Sequence, residues 1–228
     1  MFNNKLLLPL LFSCFLFQFC TDKKTPVSKL ESDAASVENI NKGKLFIIGG
    51  GKRPVSLLKE LINISEIDDK GYVAVLPMSS SEPDSAAYYA IKQFTELGLP
   101  QQKFYTFSFE NGKPSTAQLD SLSDAQLIYL TGGDQRKFMQ SIAGTAIAQT
   151  IHEAYEGGAT IAGTSAGAAL MSENMITGDE RKHLKYTGDF RTIEAENLIL
   201  QPGLGLFPNA IIDQHFIYRM RMNRLMTV

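Results

Sequence analysis

A serine flanked by small residues is the strongest chemical signal in the sequence. Ser165 is the centre of Gly163-Thr164-Ser165-Ala166-Gly167, which follows an apolar run and precedes Ala168-Ala169-Leu170-Met171. A sharp turn between a strand and a helix exposes a serine hydroxyl beside backbone N–H groups, and its close backbone approach requires small neighbours. The motif therefore predicts a serine hydrolase with Ser165 as nucleophile. The alternative is an ordinary tight turn or a phosphate-holding loop.

A nucleophilic serine needs a base, and the chain contains three histidines. His152 lies in an amphipathic run and is predicted to face solvent, and His183 lies in a charged stretch typical of an exposed loop. His215 follows the apolar pair Ile211-Ile212, where a strand is expected to leave the sheet. A general base would be placed there, so His215 is the candidate, with a core histidine as the alternative.

The elements that must position these residues follow from periodicity. Short apolar runs alternate with amphipathic stretches, which predicts an α/β fold: a doubly wound, mostly parallel sheet with helices on both faces. Strands are predicted over 44–48, 72–77, 102–109, 126–130 and 159–162. Helices are predicted over 87–97 and from 138 to about 155. Ligands bind beyond the carboxyl ends of such strands, so the glycine-rich turns there should share one crevice with Ser165.

The amino-terminal segment predicts export. Residues 1–20 contain one basic residue and an apolar run that is too short for a membrane span, as in a signal peptide. Cys20, where polarity returns, resembles the acylated cysteine of bacterial lipoproteins, and Cys14 is a rival match. Residues 21–42 suit a flexible tether, followed by one domain over 43–228. The protein is expected in the periplasm or at the outer membrane, with simple secretion as the alternative.

Composition excludes several other classes. The 228 residues carry a formal net charge of −2 and no long basic run, which argues against nucleic-acid binding. Both cysteines lie within the first 20 residues, so cysteine catalysis in the domain is excluded. No metal or organic cofactor is implied, since no His/Asp cluster has metal-ligand spacing.

Four motifs, in order along the chain, resemble those of a known enzyme family. They are Gly49-Gly50-Gly51-Lys52, Thr131-Gly132-Gly133-Asp134-Gln135, Gly163-Thr164-Ser165-Ala166-Gly167-Ala168, and Asp213-Gln214-His215-Phe216 with Arg219, Arg221, Arg224 and Leu225 after it. Together they resemble the cyanophycinases, which belong to the serine peptidase family that also contains aspartyl dipeptidase. The resemblance implies a fold similar to class I glutamine amidotransferases, which is flavodoxin-like.

The resemblance also implies residue roles. Ser165 would be the nucleophile and His215 the base, with Gly133 and the backbone N–H of Ala166 as the oxyanion hole. Substrate-binding roles are implied for Gln135, Asp213, Gln214, Arg219, Arg221 and Arg224. Arginine offers bidentate donors to substrate carboxylates, and Asp213 could bind a substrate guanidinium; a helix with a solvated basic face is the alternative.

The identity of the acidic residue that orients the histidine base is left open. The resemblance places it after the nucleophilic helix, where Asp179 and Glu180 have about the right spacing and Glu173 is a weaker candidate. Asp179 and Glu180 could instead be loop charges.

The resemblance implies a serine exopeptidase that hydrolyses β-Asp-Arg isopeptides through an acyl-enzyme. An α-aspartyl or isoaspartyl dipeptidase and a non-catalytic binding lipoprotein of the same fold are the alternatives. A glutamine amidotransferase is disfavoured because that chemistry uses a cysteine. The run over 216–226 ends without a stop signal where family members continue with further strands, so the domain is predicted to be incomplete at its carboxyl end. A homodimer is left open.

Overall fold

Most strands of the main sheet are short apolar runs that are followed by small residues. The structure is a computed structural model that describes residues 42–67, 69–109, 113–184 and 190–227. The described strands are β1 (Lys44–Ile48), β2 (Val73–Leu76), β3 (Phe104–Thr106), β4 (Leu127–Leu130), β5 (Thr160–Thr164), β6 (Asn174–Glu180) and β7 (Leu198–Pro202). The described α-helices are α1 (Val55–Ile64), α2 (Pro83–Thr95), α3 (Thr116–Ser123), α4 (Gln135–Ile142), α5 (Ile147–Glu156), α6 (Ala166–Ala169) and α7 (Met222–Leu225).

The main sheet is parallel throughout, in the order β1-β5-β4-β2-β3. The chain moves in one direction from β1 through β2 to β3, then reverses to add β4 and β5 between β1 and β2. β6 and β7 form a separate antiparallel pair. The carboxyl ends of β1, β5 and β4 are therefore neighbours, and open parallel sheets bind ligands at that edge.

Alternate residues of each inner strand enter two hydrophobic clusters, one on each face of the sheet. In β2, Val73 and Val75 belong to one cluster, and Ala74 and Leu76 belong to the other. Helices α1 and α2 pack against the first face, and α3, α4 and α5 against the second. Burial on both faces explains why these strands are continuously apolar. The prediction of a doubly wound α/β fold is confirmed.

Two predicted elements differ in extent from the structure. The strand expected over 102–109 is confined to β3, because the chain leaves the sheet edge after Phe107 N–H donates to Val75 O at 3.0 Å. The single helix expected from 138 to 155 is two helices, α4 and α5. Gly144 lies between them with a φ of 70°, which cannot continue a right-handed helix. Elements α1, α3, β6 and β7 are absent from the sequence-based prediction.

The segment that carries His215 is irregular, so the strand expected at Ile211-Ile212 is not formed. Its position is fixed instead by single hydrogen bonds to residues that follow α6 and β1. Ile212 N–H donates to Ser172 Oγ at 2.9 Å, and His215 N–H donates to Gly49 O at 2.7 Å. These bonds anchor the segment beside the turns that follow β1 and β5.

The predictions for the amino-terminal segment concern residues that the structure does not describe. The signal peptide (1–20), Cys14, Cys20 and all but the last residue of the tether (21–42) lie outside the described residues. Among the described helices, none is long and apolar enough to cross a membrane.

Candidate active site

Ser165 lies directly after β5 in a strained backbone conformation, with φ 55° and ψ −114°. A positive φ is costly for any residue with a Cβ, and such strain persists only where the surroundings enforce it. Here the sheet does so, because Ser165 N–H donates to Ile48 O of β1 at 2.9 Å. The short helix α6 begins at the next residue, so the turn joins a strand to a helix.

Glycines on either side of the serine are required by close backbone contact. A Cβ on Gly163 would lie 2.2 Å from Gly167 O, and one on Gly167 would lie 2.2 Å from Leu130 O. Both distances are far below van der Waals contact, so larger residues would force the backbone apart. The turn therefore has the local geometry that a nucleophilic serine needs.

His215 is the histidine that contacts the serine. Its Nε2 lies 2.9 Å from Ser165 Oγ. The imidazole packs on the turn after β1, where a Cβ on Gly50 would lie 2.6 Å from Nε2. His215 itself has a φ of 52°, which shows that this segment is also held in a strained turn.

Gln214 is the second residue at the hydroxyl of Ser165. Gln214 Oε1 lies 2.8 Å from Ser165 Oγ, and the Gln214 side chain is buried. A serine hydroxyl has one proton, so it cannot donate both to Gln214 and to His215 at once. With the Gln214 amide turned by 180°, its NH₂ donates to Oγ and the hydroxyl proton is free for His215. Side-chain amides are assigned from such networks. Gln214 therefore contacts the nucleophile directly.

Backbone donors lie beside the serine on the turn after β4. A Cβ on Gly132 would be 3.4 Å from Ser165 Cβ, so this turn runs directly past the serine. Gly133 adopts a φ of 145° and leaves no room for a side chain against Ser79 O. The N–H groups of Gly133 and Ala166 donate to no other described residue. Both remain free for an oxyanion.

The surroundings of His215 favour its neutral form. Burial lowers the pKa of His215, Arg219 and Arg221 lower it further, and Asp213 opposes them. A general base must be neutral to accept a proton, so a lowered pKa extends its working range toward acid.

We therefore expect kcat/KM to fall on acidification with a midpoint below pH 6.5, the ordinary value for histidine. Arg219→Gln should move this midpoint upward, because it removes a positive charge that disfavours the imidazolium. A pH profile of kcat/KM for both forms measures the shift. A midpoint at or above pH 6.5 in the parent protein would contradict this account of the base.

Several residues with predicted substrate-binding roles are instead buried in the framework. Arg224 pairs with Asp213 in an ion pair that is almost fully buried, and Arg221 Nη1 donates to Gln214 O at 2.6 Å. Gln135 is also buried, and its amide donates to the Ile176 and Thr177 carbonyls. These side chains therefore hold loops of the site in place and do not line the crevice.

The candidate acids lie away from the base. Asp179 pairs with Arg136, and buried Glu180 accepts a hydrogen bond from Asn197 Nδ2 at 3.0 Å. Glu173 is exposed. Among the described residues no carboxylate hydrogen bonds to the His215 imidazole, so the expected acid–histidine contact is absent from this arrangement. The carboxylate that acts electrostatically on His215 is Asp213.

The other two histidines are engaged elsewhere. His152 is half-buried, and its Nε2 lies 2.5 Å from Leu204 O rather than in solvent as expected. His183 lies 2.9 Å from Glu194. Neither contacts Ser165.

The glycine-rich turns after β1, β4 and β5 meet in one crevice of about 420 Å³. It is lined by Gly51, Arg53, Ala86, Tyr89, Ala90, Tyr129, Thr131, Gly132, Gly133, Thr164, Ser165, His215 and Arg219. A larger cavity of about 850 Å³ lies at the opposite edge of the sheet and contains none of the candidate residues. Among the described residues no cluster of three His, Cys, Asp or Glu side chains could hold a metal ion.

Sequence reasoning missed five of these lining residues, of which Arg53, Tyr129 and Tyr89 have polar side chains. Arg53 follows the turn after β1 by two positions, a signal that was available in the sequence. Tyr129 belongs to a strand and would be assigned to the core on its pattern alone. Tyr89 is exposed on α2 and carries no sequence signal.

A serine on a strand–helix turn, paired with histidine at the carboxyl edge of a doubly wound sheet, defines an α/β serine hydrolase. The family model described as Peptidase family S51 matches residues 45–228. The chain belongs to peptidase family S51, and it is a serine peptidase.

The similar proteins agree with this assignment. The cyanophycinase of Trichormus variabilis is 29% identical over 212 residues, which cover 90% of this chain and 68% of the relative. The cyanophycinase of a Nostoc species matches with the same values. The crystal structure of a peptidase from an acI-B1 Actinobacterium aligns with a TM-score of 0.57 and 21% identity, over 81% of this chain and 71% of that chain. At that identity the structural likeness supports the fold alone.

Proposed function

We propose that the protein is an exopeptidase that hydrolyses β-Asp-Arg isopeptides or related aspartyl peptides through an acyl-enzyme. The observation that carries the proposal is the 2.9 Å contact between Ser165 Oγ and His215 Nε2 inside a crevice that arginine also lines. The similarity to cyanophycinases supports the choice of substrate class.

The chemistry follows from the positions of these atoms. Ser165 Oγ attacks the substrate carbonyl carbon while His215 Nε2 takes the hydroxyl proton, and the backbone N–H groups of Gly133 and Ala166 stabilise the oxyanion. His215 then returns the proton to the leaving amine, which departs and leaves an ester on Ser165. Water attacks this ester with His215 again as base, and the ester bond breaks to regenerate the hydroxyl.

Two arginine side chains in the crevice favour a negatively charged substrate. Arg53 and Arg219 line the crevice, and neither forms an ion pair with a described carboxylate. Guanidinium groups bind carboxylates bidentately, so an acidic peptide fits this crevice better than a neutral or basic one.

One observation favours the aspartyl dipeptidase alternative. Asp213 is the residue expected to bind the arginine of β-Asp-Arg, but it is buried against Arg224. The crevice therefore offers cations for a substrate carboxylate and no matching anion from Asp213. A dipeptidase that requires only an acidic residue at the scissile bond needs no such anion.

Export is part of the proposal. The apolar first 20 residues and the cysteine at their end support a lipid-anchored protein in the periplasm or at the outer membrane, with secretion as the alternative. Fractionation of cells that express the protein, with Cys20→Ser as the matched variant, tests the anchor. A protein that stays in the membrane fraction after Cys20→Ser would overturn the role of that cysteine.

The substrate is tested by product release. The gene's full product without its first 20 residues is incubated with insoluble β-Asp-Arg polymer and with α- and β-aspartyl dipeptides, beside Ser165→Ala. Release of β-Asp-Arg that Ser165→Ala abolishes would support the proposal, and cleavage of dipeptides alone would assign the dipeptidase function. A folded protein that turns over none of them would overturn the proposed substrate class.

A further inference from the structure

Arg53 lies just after the turn that follows β1 and is distant from the nucleophile along the chain, but the fold brings both to the crevice. It is half-buried and lines the same crevice as Ser165. Arg53 Nε donates to Gln93 Oε1 at 2.5 Å, and Nη1 donates to Thr164 Oγ1 at 3.4 Å. Thr164 precedes Ser165, so the guanidinium is hydrogen bonded to the residue next to the nucleophile.

Gln93, which accepts the hydrogen bond from Arg53, is itself held by the buried side chain of Tyr129. Gln93 Nε2 donates to Tyr129 Oη at 3.3 Å, and Tyr129 is 1% exposed. Phe94 packs edge-on against the Tyr129 ring, at 5.4 Å between centroids. Burial raises the pKa of the Tyr129 phenol although Arg53 opposes the shift, so the phenol stays neutral. The rotamer freedom of Arg53 is thus reduced before any ligand binds, which favours binding.

The charge of Arg53 is not neutralised by the described residues. Of the five guanidinium N–H donors, the structure uses one on Nε and one on Nη1. No described carboxylate forms an ion pair with Arg53, in contrast to Arg136 and Arg224, which each hold an aspartate. A positioned, half-buried cation with free donors beside a nucleophile is suited to bind an anionic group, and the peptide substrate can supply it.

We propose that Arg53 binds the free carboxylate of the acidic residue whose carbonyl Ser165 attacks. Its remaining guanidinium donors accommodate that carboxylate, and the contact makes the peptidase selective for an acidic residue at the scissile bond. This inference rests on the proposed aspartyl peptidase function and names the residue that recognises the acid. It requires a substrate whose attacked aspartate keeps one carboxylate free, as an α- or β-aspartyl dipeptide does.

The test pairs a change in the enzyme with a change in the substrate. kcat/KM is measured for an aspartyl peptide and for the same peptide with the free carboxylate of that aspartate amidated. Arg53→Met should lower kcat/KM for the acidic peptide about 30-fold or more and change the amidated one far less. Arg53→Lys should recover part of the loss, because lysine keeps the charge without the planar fork.

Lys59→Met is the matched control, since Lys59 is an exposed cation on α1 and lies outside the crevice. It should leave both substrates unaffected. An equal loss on both substrates in Arg53→Met, or no loss on either, would overturn the role of Arg53.

A binding measurement tests the role of Arg53 even if the proposed catalytic function is wrong. If the parent protein cleaves no aspartyl peptide, the proposed function fails. The affinity of Ser165→Ala for an aspartyl dipeptide, measured by calorimetry with and without Arg53→Met, then still tests the site. Binding that Arg53→Met weakens supports a carboxylate site, and equal affinity overturns it.

Discussion

Ser165→Ala is expected to lower kcat by about 10⁶-fold while the protein remains folded. The alanine keeps the Cβ, so the strained turn and the hydrogen bond from residue 165 to Ile48 O are preserved. What is lost is the oxygen that forms the acyl-enzyme. His215→Ala should cost a similar factor, and the double variant should cost little more than either, because the two side chains act as one unit.

The measurement is kcat on the peptide that the parent cleaves best, with labelling by a fluorophosphonate as a second readout. Ser121→Ala is the control, since Ser121 is exposed on α3 and lies outside the crevice. A Ser165→Ala protein that keeps a substantial share of parental kcat, or that is still labelled, would show that another residue is the nucleophile.

Arg224→Met is expected to lower the free energy of unfolding by about 3–5 kcal/mol, because it leaves a buried carboxylate without its partner. The Asp213 and Arg224 side chains are 5% and 3% exposed. Within the described residues, Asp213 Oδ2 and Arg224 Nε have no hydrogen-bond partner. The other cation that pairs with Asp213, Arg221, is more distant, with Nη1 at 3.9 Å from Oδ1. The substitution also removes the support of the segment that leads to His215.

Urea denaturation of both forms measures this loss. Asp213→Asn combined with Arg224→Met should recover part of the stability, since the uncompensated charge is then gone. Arg219→Met is the matched control, because Arg219 is exposed and should change stability little. If Arg224→Met unfolded at the same urea concentration as Arg219→Met, the buried pair would not be holding the segment.

The buried pair also explains how the base is placed without a direct acid–histidine hydrogen bond. Asp213 accepts from Gln214 N–H at 2.8 Å, and Arg221 holds Gln214 O. The backbone N–H and the carbonyl of Gln214 are therefore both hydrogen bonded to side chains, and Gln214 directly precedes His215. Asp213 and Arg221 therefore help to place His215 through the backbone, and together with Arg219 they also act electrostatically on the pKa of its imidazole.

The turn around Ser165 and the alternation of strands and helices could be predicted from the sequence because local forces govern them. Glycine at 163 is required by backbone contact with Gly167, which lies within the same motif. Apolar runs of four or five residues predict strands of a buried sheet, since a chain covered on both faces has no polar alternation. The doubly wound sheet follows from that pattern.

The tertiary structure alone decided which charged side chains face the crevice. Arg221 and Arg224 share the motif of Arg219 but turn inward, because Asp213 and Gln214 O are available there as partners. Arg53 faces the crevice because Gln93, 40 residues away, fixes its guanidinium. Whether a charge is buried and paired or left free for a ligand depends on neighbours that are distant along the chain, and local sequence patterns carry no information about them.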